Sequence, residues 1–288
     1  PSGEYRVDAR AVRAMTAMHR LTGDAAHLER AHAFAGSLLD CQCREYSHGQ
    51  DEVRGFFYVD RSKKRIFKGH GYTAVGPVAL AQLTLADPGS AQAERYREAL
   101  RMYVEDYAVP MTSRTPFGLM PYGLYTNPPV DGALGRPLAG ELSYRYFKWD
   151  EGSTPEQAPH EKETFEHGAT AHALNHAVAF LRAARVLDDR KTCKSLAMKQ
   201  LEWVMGANPL GTCLMTGGGI NTPYPHSRFT ALSPGGIMNG FSGGHEDLPY
   251  IHTEAHQEHW ETNEYWLPHN GNYIRAISLL YGDSDVVL

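Results

Sequence analysis

The chain of 288 residues, 42% of them hydrophobic, carries ample apolar material for one large globular domain, and this composition excludes wholesale disorder. A formal charge of -5 with no basic tract excludes a nucleic-acid partner, because displacing phosphate counterions needs clustered Lys and Arg. No run of about eighteen apolar residues is present to span a membrane as a helix, and no basic-then-apolar signal segment follows Pro1.

Residues 5 to 21 place Val7, Ala11, Ala14, Met15, Met18 and Leu21 three or four apart, which predicts one apolar helix face. Thr22-Gly23-Asp24 stops that helix and caps a second, from Ala25 to about Leu39, with Leu28, Ala31, Ala35 and Leu38 on one side. The hairpin unit recurs. Gly71 to Ala86 is apolar nearly all round, Asp87-Pro88-Gly89 turns, and Ala91 to Tyr107 is charged with a stripe at Ala99, Met102 and Tyr103. Gly168 to Leu187 is Ala-rich, Asp188-Asp189 turns, and Thr192 to Met205 follows; Asn272 to Leu280 is the seventh helix. In each pair the first helix is the more apolar, as in an inner ring lined by an outer one. The long connections at 43–68, 108–167 and 206–270 leave the same end of the hairpins, so they gather on one face, where a site is expected.

Cys41, Cys43, Cys193 and Cys213 lack zinc-finger spacing and read as free thiols. His252, His256 and His259 have the spacing of a shared helix face, but Pro249 and the surrounding turn signals argue against a helix there, so no metal is expected. His167, His172 and His176 lie near one face of the Ala-rich helix, where pocket or core histidines are the common outcome. Thr216-Gly217-Gly218-Gly219 lacks the Lys of a phosphate loop, no Gly-x-Ser-x-Gly elbow exists, and no cofactor is expected.

The stretch from Trp203 to Tyr281 carries Gly206-Ala207-Asn208-Pro209-Leu210-Gly211, a Thr-Gly-rich turn, Pro225-His226-Ser227-Arg228, Gly243-Gly244 and Asn263-Glu264 before the last helix. In order and spacing this resembles the C-terminal part of glycoside hydrolase family nine, with the specific likeness at about 166–283. Ser227, His259-Trp260 and Pro268-His269-Asn270-Gly271 depart from the family pattern. The resemblance implies an all-α (α/α)6 toroid, of which residues 1–288 hold the C-terminal portion with seven or so of twelve helices. A missing N-terminal segment or a partner chain would complete the barrel. It further implies inverting hydrolysis of β-1,4-linked glucan or gluco-oligosaccharides. Glu264 is then the general acid, and the base is an Asp outside this sequence, since no Asp-Ala-Gly-Asp segment is present.

Inverting chemistry sets the two carboxyls roughly 6.5–9.5 Å apart, and the apolar neighbours Trp260, Tyr265 and Trp266 are of the kind that raise a carboxyl pKa. His226, Arg228 and Asn263 are implied sugar-binding residues, and Trp266 and Tyr224 are aromatic candidates beside them. Phe117, Tyr122 and Tyr125 could stack on sugar faces or build local cores. Arg228 with His226 could alternatively serve a polysaccharide lyase, and a binding relative without the base would keep the cleft but not the turnover. The family resemblance points to export and the free thiols to a reducing compartment, so location stays open.

Overall fold

The structure is a computed structural model that describes residues 1–69, 71–126, 135–148, 167–226, 232–244, 246–254 and 259–282. Helices α1 (Tyr5–Thr22) and α2 (Ala25–Asp40) form the first hairpin. Gly23, at φ 72°, closes α1 in the left-handed conformation, and the Asp24 side chain accepts from the Ala26 N–H at 2.8 Å to open α2. Helix α3 (Val75–Ala86) is buried from Val75 through Thr84, as its all-round apolar sequence requires. Helix α4 (Ala93–Arg101) runs on through a π-helical segment, Met102–Ala108, into α5 (Val109–Thr112). The π-segment widens the helix where loop 42–55 presses on it. There Gln42 Nε2 donates to Ala99 O, the Arg54 N–H donates to Asp106 O, and a Cβ on Gly55 would lie 2.3 Å from Met102 O.

Helices α6 (Thr170–Ala183) and α7 (Arg190–Val204) form the third hairpin, with Asp189 capping α7 through the Thr192 N–H. A short α8 (Trp260–Asn263) precedes α9 (Leu267–Tyr281). The last helix begins at Leu267 rather than near Asn272, because Pro268 falls in the first turn, where its fixed φ suits a helix start and its missing N–H costs nothing. Helices α1, α3, α6 and α9 pack in that order side by side, with α2 against α1, α4 against α3 and α7 against α6. The apolar-first pattern of the sequence is therefore the pattern of the packing.

The chain is helix-rich, as expected, and carries short strands in its connections: β1 (Gly123–Thr126), β2 (Arg136–Pro137) and β3 (Leu142–Arg145) form an antiparallel sheet in the order β1-β3-β2, and β4 (Ser242–Gly243) pairs with β5 (Pro249–Tyr250). β3 and all of β1 but Thr126 are buried on both faces, and β2, β4 and β5 are two residues each, so none shows an alternation to read.

On α1 the buried stripe is Tyr5, Ala9, Val12 and Thr16, while Val7, Met18 and Leu21 are 44%, 39% and 81% exposed. Two apolar stripes compete on this helix. The winner carries Tyr5, whose hydroxyl donates to Thr73 O at 2.6 Å and accepts from the Gly76 N–H at 2.9 Å, in a gap that only glycine leaves open to its ring. Leu267, Ile274 and Tyr281 on α9 are likewise exposed. All four cysteines are buried free thiols, and no described helix is long and apolar enough to cross a membrane.

Asp8 anchors the start of the chain. It is fully buried and accepts from the Ser2 N–H and hydroxyl, the Gly3 N–H and the Ser37 hydroxyl. Burial alone would raise its carboxyl, but these donors together hold it below the ordinary value of 3.8. A depressed carboxyl stabilises the fold above its unfolded pKa, and that contribution disappears as pH falls through the folded value. Asp8→Asn should cost about 1–3 kcal/mol near neutrality. The difference between wild type and variant in thermal melts should shrink as pH drops below about 4.

Candidate active site

The connection from α7 to α9 contains little regular secondary structure, so its main-chain polar groups must find partners one by one. Asparagines supply many of them. Asn208 donates to Trp203 O and Thr212 O at 2.8 Å and accepts from the Thr212 N–H at 3.0 Å, which turns the chain off the end of α7. From there residues 213–216, 236–241 and 262–265 lie against one another. Met238 N–H donates to Leu214 O, Thr216 N–H to Gly236 O, Gly240 N–H to Thr262 O, and Asn239 N–H to Glu264 O at 2.9 Å. The same strands finish α6: its leading N–H groups at Gly168, Ala169 and Thr170 donate to Glu261 O, Phe241 O and Asn239 O.

Glu264 sits at the C-cap of α8 with extended backbone (φ −73°, ψ 140°), half-buried. Asn239, fully buried, donates from its amide to Trp260 O at 2.7 Å. Its oxygen therefore faces His269, which donates from Nε2 at 2.8 Å. Burial, helped by the nearby His167, pushes His269 down to about 3, so the ring is neutral and the tautomer is set by that bond. Asn263 is 1% exposed. Its amide donates to Tyr224 O at 2.6 Å and His252 O at 3.0 Å, its oxygen accepts from the Thr262 hydroxyl, and its own carbonyl accepts from the His226 N–H at 2.9 Å.

The His167 ring stands edge-on to both Trp260 (5.1 Å) and Trp266 (4.8 Å), so two indoles and an imidazole gather in the segment that carries Glu264. Tyr265 meets the Thr216 hydroxyl at 2.5 Å. The result is a carboxyl-bearing residue held on both sides by main-chain bonds and placed among aromatic rings. This setting suits directed proton transfer to a neutral oxygen.

The structure brings the His226 backbone onto Asn263, in the segment that also carries Glu264 and Trp266. Arg228 lies outside the described residues. Asn263, read from sequence as a sugar contact, has its amide committed to two main-chain carbonyls and positions Glu264 instead. Tyr224 is 59% exposed and reaches the site through its carbonyl. Tyr122 and Tyr125 are buried, Tyr122 against His172 and Tyr125 against Lys68, and belong to the core. His172 donates from Nε2 to Pro121 O, and His176 meets the Tyr103 hydroxyl, so both are core histidines.

His252 and His259 stack with centroids 3.4 Å apart, and His256 lies outside the described residues. No group of three or more metal-binding side chains occurs among the described residues. Sequence reading missed Asn239, His269 and Gly168. The available signal was an Asn in a Gly-rich stretch and a His after the helix-opening Pro268, and neither has a periodicity.

A Cβ at Gly168 would lie 2.2 Å from Gly240 O and 2.3 Å from Asn239 O, both main chain. Gly168→Ala should therefore destabilise by about 1–3 kcal/mol or more in urea unfolding and shift the tryptophan fluorescence around Glu264. Gly36→Ala in α2, with nothing within 4 Å of the new methyl, should be neutral or stabilising by comparison. Burial also pushes His172 down to about 4, so His172 and His269 are neutral in the fold but take up a proton near 6.5 when unfolded. The unfolded state binds more protons in that window. Urea midpoints should consequently fall as pH drops from about 6.5 towards 4, and His269→Gln should reduce the slope.

Residues 140–274 match the sequence profile of Glycosyl hydrolase family 9. No curated protein gives a match. Among solved structures, the fold is similar to endoglucanase CelQ from Clostridium thermocellum complexed with cellobiose and cellotriose (TM-score 0.54, 17% identity, 96% of this chain and 39% of that one). It is also similar to cellulase Cel9M of C. cellulolyticum (0.53, 15%, 96% and 50%) and to an endoglucanase from the termite Nasutitermes takasagoensis (0.53, 18%, 93% and 49%). At these identities the likeness is one of fold, and the chain spans about half or less of each. The resemblance read from the residues nonetheless stands, for the part of the chain that carries His226 and Asn263-Glu264 matches glycosyl hydrolase family 9.

Proposed function

We propose that the chain is the C-terminal part of an inverting β-glycosidase acting on β-1,4-linked glucan or gluco-oligosaccharides, with Glu264 as general acid and an Asp outside this sequence as base. The observation that carries the reading is the double clamp on Glu264. Asn239 N–H holds its carbonyl, and the Asn263 side chain holds the residue before it, so the carboxyl is presented from a fixed backbone. The family match over this segment and the cello-oligosaccharides in the similar CelQ structure support the substrate class. Trp266 and Tyr224 are the proposed sugar-stacking residues, and His226 and Arg228 the proposed polar contacts.

The packing order α1–α3–α6–α9, with α2, α4 and α7 outside, supports a partial (α/α)6 toroid. The exposed Leu21 and Met18 on one flanking helix and Leu267, Ile274 and Tyr281 on the other support its completion by further helices, from the same chain or a partner.

In the protein carrying its base-bearing segment, Glu264→Gln should lower turnover of cellotetraose about a hundredfold or more. Its dissociation constant by calorimetry should stay within a few-fold, because the amide keeps the shape and has no acidic proton to give. A near-normal rate removes Glu264 as the acid. Tight binding by the wild type without new reducing ends would instead identify a binding relative, and an ultraviolet-absorbing product a lyase.

A further inference from the structure

A pocket of about 310 Å³ lies where α3, α6 and α9 finish and α7 begins. Leucines from the three finishing helices (Leu85, Leu181 and Leu279) wall it, and Arg185, Arg190 and Lys194 supply its charges. Glu264 belongs to the other end of the fold, beside the starts of α6 and α9. Helix α6, of 14 residues, separates the two places by about 20 Å at its rise of 1.5 Å per residue. The pocket is therefore no part of the surface around Glu264.

None of the described residues that line it is acidic. Arg185 is fixed at the rim, its Nη2 donating at 2.8 Å to the carbonyl of Gly282, which is itself part of the lining. Arg190 and Lys194 are exposed and stand four residues apart on α7, so they share one face of that helix. Among the described residues no carboxylate pairs with the side chain of either. Asp188 and Asp189, the acids next to them in sequence, lie outside the lining, and the Asp189 carboxylate is taken by the Thr192 N–H at 3.1 Å. Two cations at this helical spacing repel each other, and apolar walls focus the field of all three charges into the concavity. An anion relieves that repulsion, and a neutral or cationic occupant does not. Guanidinium and ammonium groups take phosphate and carboxylate oxygens alike, while the leucines suit an apolar body. At 310 Å³ the pocket stands at the lower end of the range for small-molecule sites, about 300–1,000 Å³. We infer that this pocket binds a small amphiphilic anion, a phosphate or carboxylate group carried on a short apolar body, at a site separate from Glu264.

The test is a calorimetric titration of the chain with hexyl phosphate and with hexanoate at constant ionic strength, with hexanol as the neutral control. At least one of the two anions should bind saturably, and the tighter of them decides between phosphate and carboxylate. Arg190→Gln combined with Lys194→Gln, two exposed positions whose exchange should leave the circular dichroism unchanged, should weaken that binding roughly tenfold or more. Lys191→Gln, exposed on the same helix but outside the lining, should change it by less than about twofold, because screening leaves little of a charge that does not touch the ligand. Glu264→Gln should have no effect, so the result does not depend on whether the protein hydrolyses anything. Four outcomes would overturn the inference: no saturable binding of either anion, hexanol binding as tightly, Lys191→Gln weakening binding as much as the paired variant, or binding that emerges only with Asp283→Asn and Asp285→Asn. The last would assign the three cations to the carboxylates that follow Gly282 in the sequence.

Discussion

The candidate site depends on one constraint: an extended connection with little secondary structure of its own must satisfy its backbone inside a folded protein. Uncharged side chains meet it. Asn208, Asn239 and Asn263 each place a donor amide on main-chain carbonyls, and the leading N–H groups of α6 are taken by the carbonyls of Glu261, Phe241 and Asn239. A buried amide left without partners costs of order 1–3 kcal/mol, so these bonds are what allow a loop to be buried. Charged side chains in their place would carry a desolvation cost that the region offers few counter-charges to offset.

This construction has a functional corollary. Catalytic groups work best when the scaffold fixes their geometry before substrate arrives. Glu264 leaves α8 just before α9 starts, and its carbonyl is tied to the same Asn239 whose side chain joins Trp260 to the neutral His269. Stability of the loop and placement of the carboxyl are therefore one property. Gly168 shows the tightness of the coupling, since a single methyl there would collide with two main-chain carbonyls next to that asparagine.

Elsewhere the fold uses the same device at different depths. Gln42 reaches Ala99 where the α4 helix is about to widen into its π-segment, and Asp8 gathers the first residues of the chain onto α1 and α2. Asp247 joins the strands of the sheet to the loop before β5 through two N–H groups and Arg136. Each is a polar residue whose value lies in contacts far along the chain, which local sequence cannot reveal.

The sequence by itself determined the helical hairpins, because period and caps are local: Gly23-Asp24 and Asp189 end and begin helices for reasons contained in a few residues. It also located the stretch that matches the profile of glycosyl hydrolase family 9, since Asn263-Glu264 and Pro225-His226 could be found by pattern. Tertiary structure decided which of two apolar stripes on α1 is buried, because only the approach of Thr73 and Gly76 gives Tyr5 its hydrogen bonds. It decided that Asn263 serves the backbone, and that Tyr122 and Tyr125 belong to the core. The physical reason is common to all three: a polar or aromatic side chain takes its role from the partner it meets, and those partners lie elsewhere in the chain.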